Sequence, residues 1–551
     1  MPAPLQSQAG VEMGSISAQI NARSEYRGFV SALGVAHFLG VQFARIPARF
    51  RQAQLVHPDS HDGVVDATHY GPNCPQPPDA HRTIRQHLFA GAPAANLTQS
   101  EFDCLRLNIY APESAVASPE KIPVLVWIHG GGFTIENGNA DFSGDFLVSH
   151  TITTGRPVVF VSVNYRLGLL GFLSSSELAE EAGASGEVGW ANQGLHDQRL
   201  ALQWVNSYIH LFGGDASNVT IAGESAGAWS VLAHLRSDQP LCQRGILQSA
   251  PSLCMMSPEK AQGKFDRLLE RAGVPSTATA AQKIAALRTV PLADLISWTD
   301  PLTTPIWDPK WFVDHASPQE PLDCEEPFPS WVQAIVAGTM RDEMAIFRLD
   351  KVWQTRESIV ASISAALHLP ADPTFSTSVL CEYGIDQAAS DEAAAQGFIA
   401  LLMDACFARV PFNLAGACRN PRSPSLYIYR FDQPDEEERS GLRGTAFHAL
   451  DNAYLCRSPA VAGPVAPPTC RATANSFSQM LLRHAYGDAP WHPYSSSGAR
   501  YVFDGAQSRL EIANLDAERW NKLLSSEARI TKLSALFFQL IINGPGRYDD
   551  A

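Results

Sequence analysis

Ser225 stands in Gly223-Glu224-Ser225-Ala226-Gly227, directly after the apolar run Val219-Thr220-Ile221-Ala222 and ahead of a helix-competent stretch from Ala228 to Leu235. Strand, sharp turn and helix in that order predict a turn that lifts the serine hydroxyl above a sheet edge. The flanking glycines permit a backbone approach that a side chain would block. A serine so placed is a nucleophile for acyl transfer. With 39 glycines in 551 residues, chance alone would flank roughly one serine in 200 this way, so the reading requires support elsewhere in the chain.

That support lies upstream in His129-Gly130-Gly131-Gly132-Phe133, which closes the buried-strand run Pro123-Val124-Leu125-Val126-Trp127-Ile128. Acyl transfer builds negative charge on a carbonyl oxygen, and catalysis requires donors already aimed at it. Successive glycines after a strand expose backbone N–H groups. Gly131 and Gly132 are the expected donors, with the N–H of Ala226 beside the nucleophile as the third.

The nucleophile also requires a general base and an acid to orient it. Six histidines follow Ser225. His234 falls within the helix after the nucleophile, His315 and His368 precede or crowd the acid position, and His484 and His492 lie in structural or surface surroundings. His448, in the small-residue loop Gly444-Thr445-Ala446-Phe447-His448-Ala449-Leu450-Asp451, is the best candidate for an imidazole presented at a site. For the acid, Asp342 and Glu343 follow the strand-like run Ala334-Ile335-Val336-Ala337-Gly338. A carboxylate there can hold the imidazole and stabilise its protonated form. The residues alone do not separate these two neighbours.

Taken together the motifs resemble the type B carboxylesterase and lipase family, which includes cholinesterases and fungal lipases. Phe38-Leu39-Gly40-Val41-Gln42-Phe43-Ala44 resembles its N-terminal signature, and Glu101 to Asn108 its cysteine-containing signature with one residue inserted. Asn164-Tyr165-Arg166-Leu167-Gly168, Asn192 to Gln198 and Phe212-Gly213-Gly214-Asp215 are similar to its central blocks, and Trp491-His492-Pro493-Tyr494 to its closing one. The resemblance implies an α/β-hydrolase fold: a large, mostly parallel, twisted central sheet with helices on both faces and helical or loop insertions over the site. It also implies Glu343 as the acid and His448 as the base, and a disulfide loop from Cys74 to Cys104. Three positions depart from the pattern: Ala449, Met344 and Ala250 stand where glycine is usual. These substitutions bear on substrate fit rather than on the chemistry.

Because the motifs span positions 38 to 494, one catalytic domain over residues 1–551 is expected, with a cap-like insertion around 255–330. The 45% hydrophobic and 18% charged composition suits a large globular core. With 41 basic against 56 acidic residues and no sustained basic run, nucleic acid is an unsupported partner. No apolar stretch reads as a spanning helix, and the N-terminus lacks a charged region followed by an apolar core. The expected setting is therefore cytoplasmic, or secreted after removal of a leader. Ten cysteines show no metal-type spacing; Cys242 and Cys254 could form a second bridge, and free buried thiols in a reducing compartment are an equally open reading. Asn96-Leu97-Thr98 is a glycosylation sequon relevant only on a secretory route.

The function expected is a cofactor-independent serine esterase with a small-molecule ester substrate. Ser225, His448 and Glu343 act through an acyl-enzyme, and Glu224 and Phe133 are expected at the substrate site. A tryptophan-free Cys74 to Cys104 loop lacks the family's aromatic platform for a quaternary ammonium, so neutral, largely apolar esters are favoured over choline esters. The alternatives are an acyltransferase or cyclase using the same acyl-enzyme, separable by product analysis, and a non-catalytic binding protein, which a retained triad disfavours.

Overall fold

The computed structural model describes residues 14–60, 62–77, 98–300, 303–312, 317–318, 320–347, 355–438, 440–513, 517–537 and 540. Asn96 of the sequon and His315 lie outside them.

Among the described residues its frame is a 13-stranded sheet. In chain order the main strands are β1 (Gly14–Asn21), β2 (Ser24–Val30), β3 (Val35–Gln42), β4 (Arg106–Pro112), β5 (Ile122–Ile128), β6 (Val159–Val163), β7 (Gly214–Glu224), β8 (Arg244–Gln248), β9 (Ala334–Met340), β10 (Ser425–Phe431), β11 (Ala499–Phe503) and β12 (Arg509–Ile512). They lie in the order β1-β2-β3-β4-β6-β5-β7-β8-β9-β10-β11-β12, and a short strand, Gly63–Asp66, adds beside β2. From β6 to β11 every pairing is parallel, and antiparallel strands flank this block on both sides.

The central strands are continuous apolar runs because both faces are covered. On β5, Val124, Val126 and Ile128 enter one core with helices α2 (Gln193–Tyr208) and α3 (Ala226–Leu235). Leu125 and Trp127 enter the opposite core, shared with α1 (Asp145–Thr153) and a long C-terminal helix, Pro468–Ala485. A sheet covered in this way has one accessible edge for chemistry, the C-terminal ends of its parallel strands, where β5, β7 and β9 deliver the glycine loop, Ser225 and Glu343.

Between β8 and β9 the chain forms α4 (Pro258–Arg271), α5 (Ala280–Thr289) and α6 (Leu292–Ser297), within the stretch read as an insertion. A second helical block, between β9 and β10, was not foreseen. It holds α7 (Asp391–Met403), a π-helical turn (Asp404–Ala408) and α8 (Arg409–Ala417), and it packs with the C-terminal helices around Phe398, Leu401, Trp520 and Leu536. The continuous helix Asp391–Ala417 is long and apolar enough to cross a membrane by length and composition, a property the sequence reading did not register because Asp404 and Arg409 interrupt the apolar run. Of its apolar window, 67% is buried inside the protein, which is the pattern of a core helix.

Candidate active site

The strand-turn-helix reading at Ser225 matches the geometry. Ser225 has φ 54° and ψ −121°, a conformation outside the ordinary regions for a non-glycine residue, between the end of β7 and the start of α3. Its N–H donates to the Gln248 carbonyl at 2.9 Å. The turn is tight enough that a Cβ on Gly227 would lie 2.1 Å from the Ile128 oxygen. Strain held in place by such packing is characteristic of functional turns.

The glycine loop faces this turn. Gly131, Gly132 and Phe133 all have positive φ, at 84°, 59° and 62°. Tyr165 donates to the His129 carbonyl at 2.9 Å and Gly168 N–H to Phe133 O at 2.7 Å, while Thr303 from the insertion donates to Gly132 O at 3.0 Å. The carbonyls are thus occupied. Among the described residues none accepts the N–H of Gly131, Gly132 or Ala226. The ring of Phe133, expected at the substrate, is instead buried between Phe172 and Trp229, at centroid distances of 4.9 and 5.8 Å, because the left-handed backbone turns it into the core.

The two acidic neighbours separate cleanly. Glu343 is fully buried; its Oε1 accepts the Met340 N–H at 2.8 Å and its Oε2 lies 2.6 Å from His448 Nδ1. Asp342 points the other way, paired with Arg341 and accepting the Ala446 N–H at 2.8 Å, so that it pins the histidine loop rather than the histidine. His448 Nε2 lies 3.0 Å from Glu224 Oε1, an ionic contact when the imidazole is protonated. No hydrogen bond joins Ser225 to His448 among the described residues.

Burial alone would lower the affinity of His448 for a proton, but the flanking Glu224 and Glu343 carboxylates outweigh it and raise its pKa well above 6.5. Four further groups at this site were not anticipated. Asp451, three residues after His448, is raised to about 7 by burial and by Glu224, although Tyr429 donates to it at 2.9 Å. Glu136, just past the glycine loop, is raised to about 8, first by burial and then by Glu224. Phe407, on the π-helical turn, lies with its ring centroid 4.9 Å from that of His448, and Phe347 at 6.1 Å. A carboxylate placed directly after either catalytic motif was a usable signal for Asp451 and Glu136. Nothing local marked Phe407, which reaches the site through the π turn.

Neither of the possible bridges is formed among the described residues, which leaves the free-thiol alternative. Cys74 and Cys104 are both buried free thiols: the Leu167 N–H donates to Cys74 Sγ at 3.2 Å, and the adjoining Cys74 thiol, with burial, holds the Cys104 pKa well above 9.0. Cys242 is likewise a buried thiol beside Arg244, and Cys254 lies near Ser534 and Arg409, with no bond between the two. Cys324, which has no metal-type spacing in sequence, comes together with Glu320 and Glu326 so that their ligand atoms lie within 4.8 Å of one another. This grouping is built by a turn and not by a motif.

A model of the carboxylesterase family matches residues 17–512. The chain belongs to the carboxylesterase family. This carboxylesterase-family chain is 30% identical to the para-nitrobenzyl esterase of Bacillus subtilis over 442 residues, 77% of the chain and 79% of that protein. It is 35% identical to Lipase 2 of Diutina rugosa over 275 residues, 46% of the chain, and spans about half of that relative's length, 47%. A solved structure of PNB esterase superposes with a TM-score of 0.71 at 26% identity, covering 93% of the chain and 100% of that structure. The fold is the α/β-hydrolase fold.

Proposed function

We propose that the protein is a serine carboxylic-ester hydrolase acting through an acyl-enzyme, built as one catalytic domain with residues 255–330 as its cap. Ser225 Oγ attacks the ester carbonyl and passes its proton to His448 Nε2. Glu343 holds the ring through Nδ1 and stabilises the imidazolium that forms. The new oxyanion lies against the N–H groups of Gly131, Gly132 and Ala226, whose lack of internal acceptors leaves them available to it. His448 then protonates the departing alcohol, and the same nitrogen activates the water that releases the acid.

The observation that carries this reading is the buried 2.6 Å contact from Glu343 to His448 at the strand end next to a strained Ser225. Support for a neutral, apolar substrate comes from a small, partly open cleft beside the glycine loop. Thr134 joins the two, and Leu167, Leu169, Leu170, Leu295 and Ile296 form its apolar walls. Each acyl methylene buried against apolar walls is worth about 0.8 kcal/mol, so esters of graded acyl length should rise in kcat/KM and then level off once further methylenes find no apolar contact.

The test is product analysis with a neutral ester. Hydrolysis requires one free carboxylic acid per alcohol released, with no loss of activity on adding a chelator. Transfer of the acyl group to an added alcohol or amine in preference to water would overturn the hydrolase reading.

A further inference from the structure

Glu136 combines two costly features that nothing in the hydrolytic mechanism above requires. Its backbone is left-handed, φ 77°, a region that a residue with a Cβ adopts at a cost. Its side chain is buried, 5% exposed, and Oε2 has no hydrogen-bond partner among the described residues. Features of this kind persist only where the surroundings enforce them, and here they do. Gln76 clamps both sides of the residue, accepting the Glu136 N–H at 2.7 Å and donating to its carbonyl at 2.9 Å. Two residues on, Asn164 accepts the Gly138 N–H, while Asn108 and Ser162 donate to the Gly138 carbonyl. The protein therefore fixes a carboxyl group at the end of the glycine loop and leaves one of its oxygens bare.

The groups facing it come from four directions. Glu224 at the end of β7 and Asp141 of the turn Ala140–Phe142 oppose its ionisation, and His448 favours it. Tyr165, after β6, has its own ionisation opposed by Glu136. Two buried carboxyl groups that repel one another lose one proton readily and the second only reluctantly. Glu224 Oε1 lies 3.0 Å from His448 Nε2, a cationic partner when the imidazole is protonated, and Glu136 Oε2 has no such contact among the described residues. Glu136 is then the member that keeps its proton.

We propose that Glu136 is a positioning residue of the hydrolysis: its buried, uncharged carboxyl, clamped at the end of the glycine loop, keeps added negative charge away from His448 and the oxyanion site, and a charge placed on it suppresses turnover. This rests on the hydrolase reading above. A second negative charge at the end of the glycine loop acts twice in the same direction. It holds His448 in the imidazolium form, which is no base, and it opposes the oxyanion forming against Gly131 and Gly132. The Glu136 carboxyl titrates at about 8, so the effect falls on the alkaline side of the activity profile.

The experiment is the pH profile of kcat/KM for a neutral 4-nitrophenyl ester from pH 6 to 10, corrected for spontaneous hydrolysis, in the wild type, Glu136→Gln and Glu136→Gly. Glutamine keeps the shape without the charge, and glycine removes the carboxyl from a backbone that glycine adopts freely. The wild type should lose about tenfold in kcat/KM between pH 8 and 9.5, and both variants should lose that alkaline limb while keeping the acidic one. A limb that persists in either folded variant, or a wild type flat to pH 9.5, would overturn the proposal. Fluorophosphonate labelling of Ser225 is read in parallel: failure to label the wild type speaks against the hydrolase reading itself, whereas a labelled enzyme with an unchanged limb speaks only against Glu136.

Discussion

At the scale of single residues the account turns on one imidazole between two carboxylates. Glu343 is buried, bonded to Nδ1 and anchored by a backbone N–H, so it both orients the ring and stabilises its charge. Glu343→Gln should lower kcat by about 10³-fold or more, since an amide there can favour the wrong tautomer. Asp342→Asn should cost about tenfold or less, because asparagine retains the oxygen that accepts from Ala446. Steady-state kinetics on both variants checks the pair, and a reversed order would misplace the acid. Glu224 acts by charge instead. Its carboxylate helps raise the His448 pKa, and a histidine is a base only above its pKa, so activity appears late on the way up in pH. Glu224→Gln removes that stabilisation of the imidazolium, lowers the His448 pKa and should move the acidic limb of kcat/KM to lower pH. An acidic limb that stays in place or moves up would contradict this.

At the scale of elements, the parts readable from sequence are those in which residue types close together in the chain determine the local backbone. The run Val219 to Ala222 with the elbow after it became β7 and α3, and Pro123 to Ile128 with its glycines became β5 and the donor loop. Contacts between distant segments were not readable. No local pattern brings Gln76 to Glu136, sets Phe407 over His448, or distinguishes Asp342 from Glu343, adjacent carboxylates whose side chains face opposite ways. The Cys74 and Cys104 thiols met as expected but without a bond between them. The departure at Ala449 gains a physical meaning: it has φ 72°, a conformation suited to glycine, in the loop that carries His448. Ala449→Gly relieves that strain at the expense of unfolded-chain entropy. It should raise stability by a net ~0.5–1 kcal/mol, measured as a higher urea midpoint at unchanged slope. A lowered midpoint would show that the alanine methyl contributes more through packing than it costs in strain.

At the scale of the whole molecule, a sheet covered on both faces leaves its ionisable residues in a dry interior, and stability depends on pH for that reason. His196, His234 and His484 are lowered to about 3, each chiefly by burial. They are neutral in the folded protein and protonate near 6.5 when unfolded. Between those values the unfolded chain binds more protons, so the stabilising contribution, complete above pH 6.5, is lost as pH falls toward 3. Asp451 and Glu136 work in the opposite sense. Raised to about 7 and 8, they favour the fold below their unfolded pKa, and that contribution is lost as pH rises through 7 and 8. Thermal unfolding followed from pH 4 to 9 should therefore show highest stability near pH 6–7. A melting temperature still rising at pH 9, or unchanged down to pH 4, would contradict the assignment of these groups as buried in the forms described.

The central claim is that a single strained serine at the end of β7 carries the chemistry. Its most direct test is covalent: the wild type and Ser225→Ala are treated with a fluorophosphonate, label is counted by mass and turnover of a neutral ester is measured on the same samples. The account predicts one label per chain, located on Ser225, in the wild type. In the variant, with its fold intact by circular dichroism, it predicts no label and a loss of turnover on the order of 10⁶-fold. Labelling or substantial turnover that survives in Ser225→Ala would contradict it.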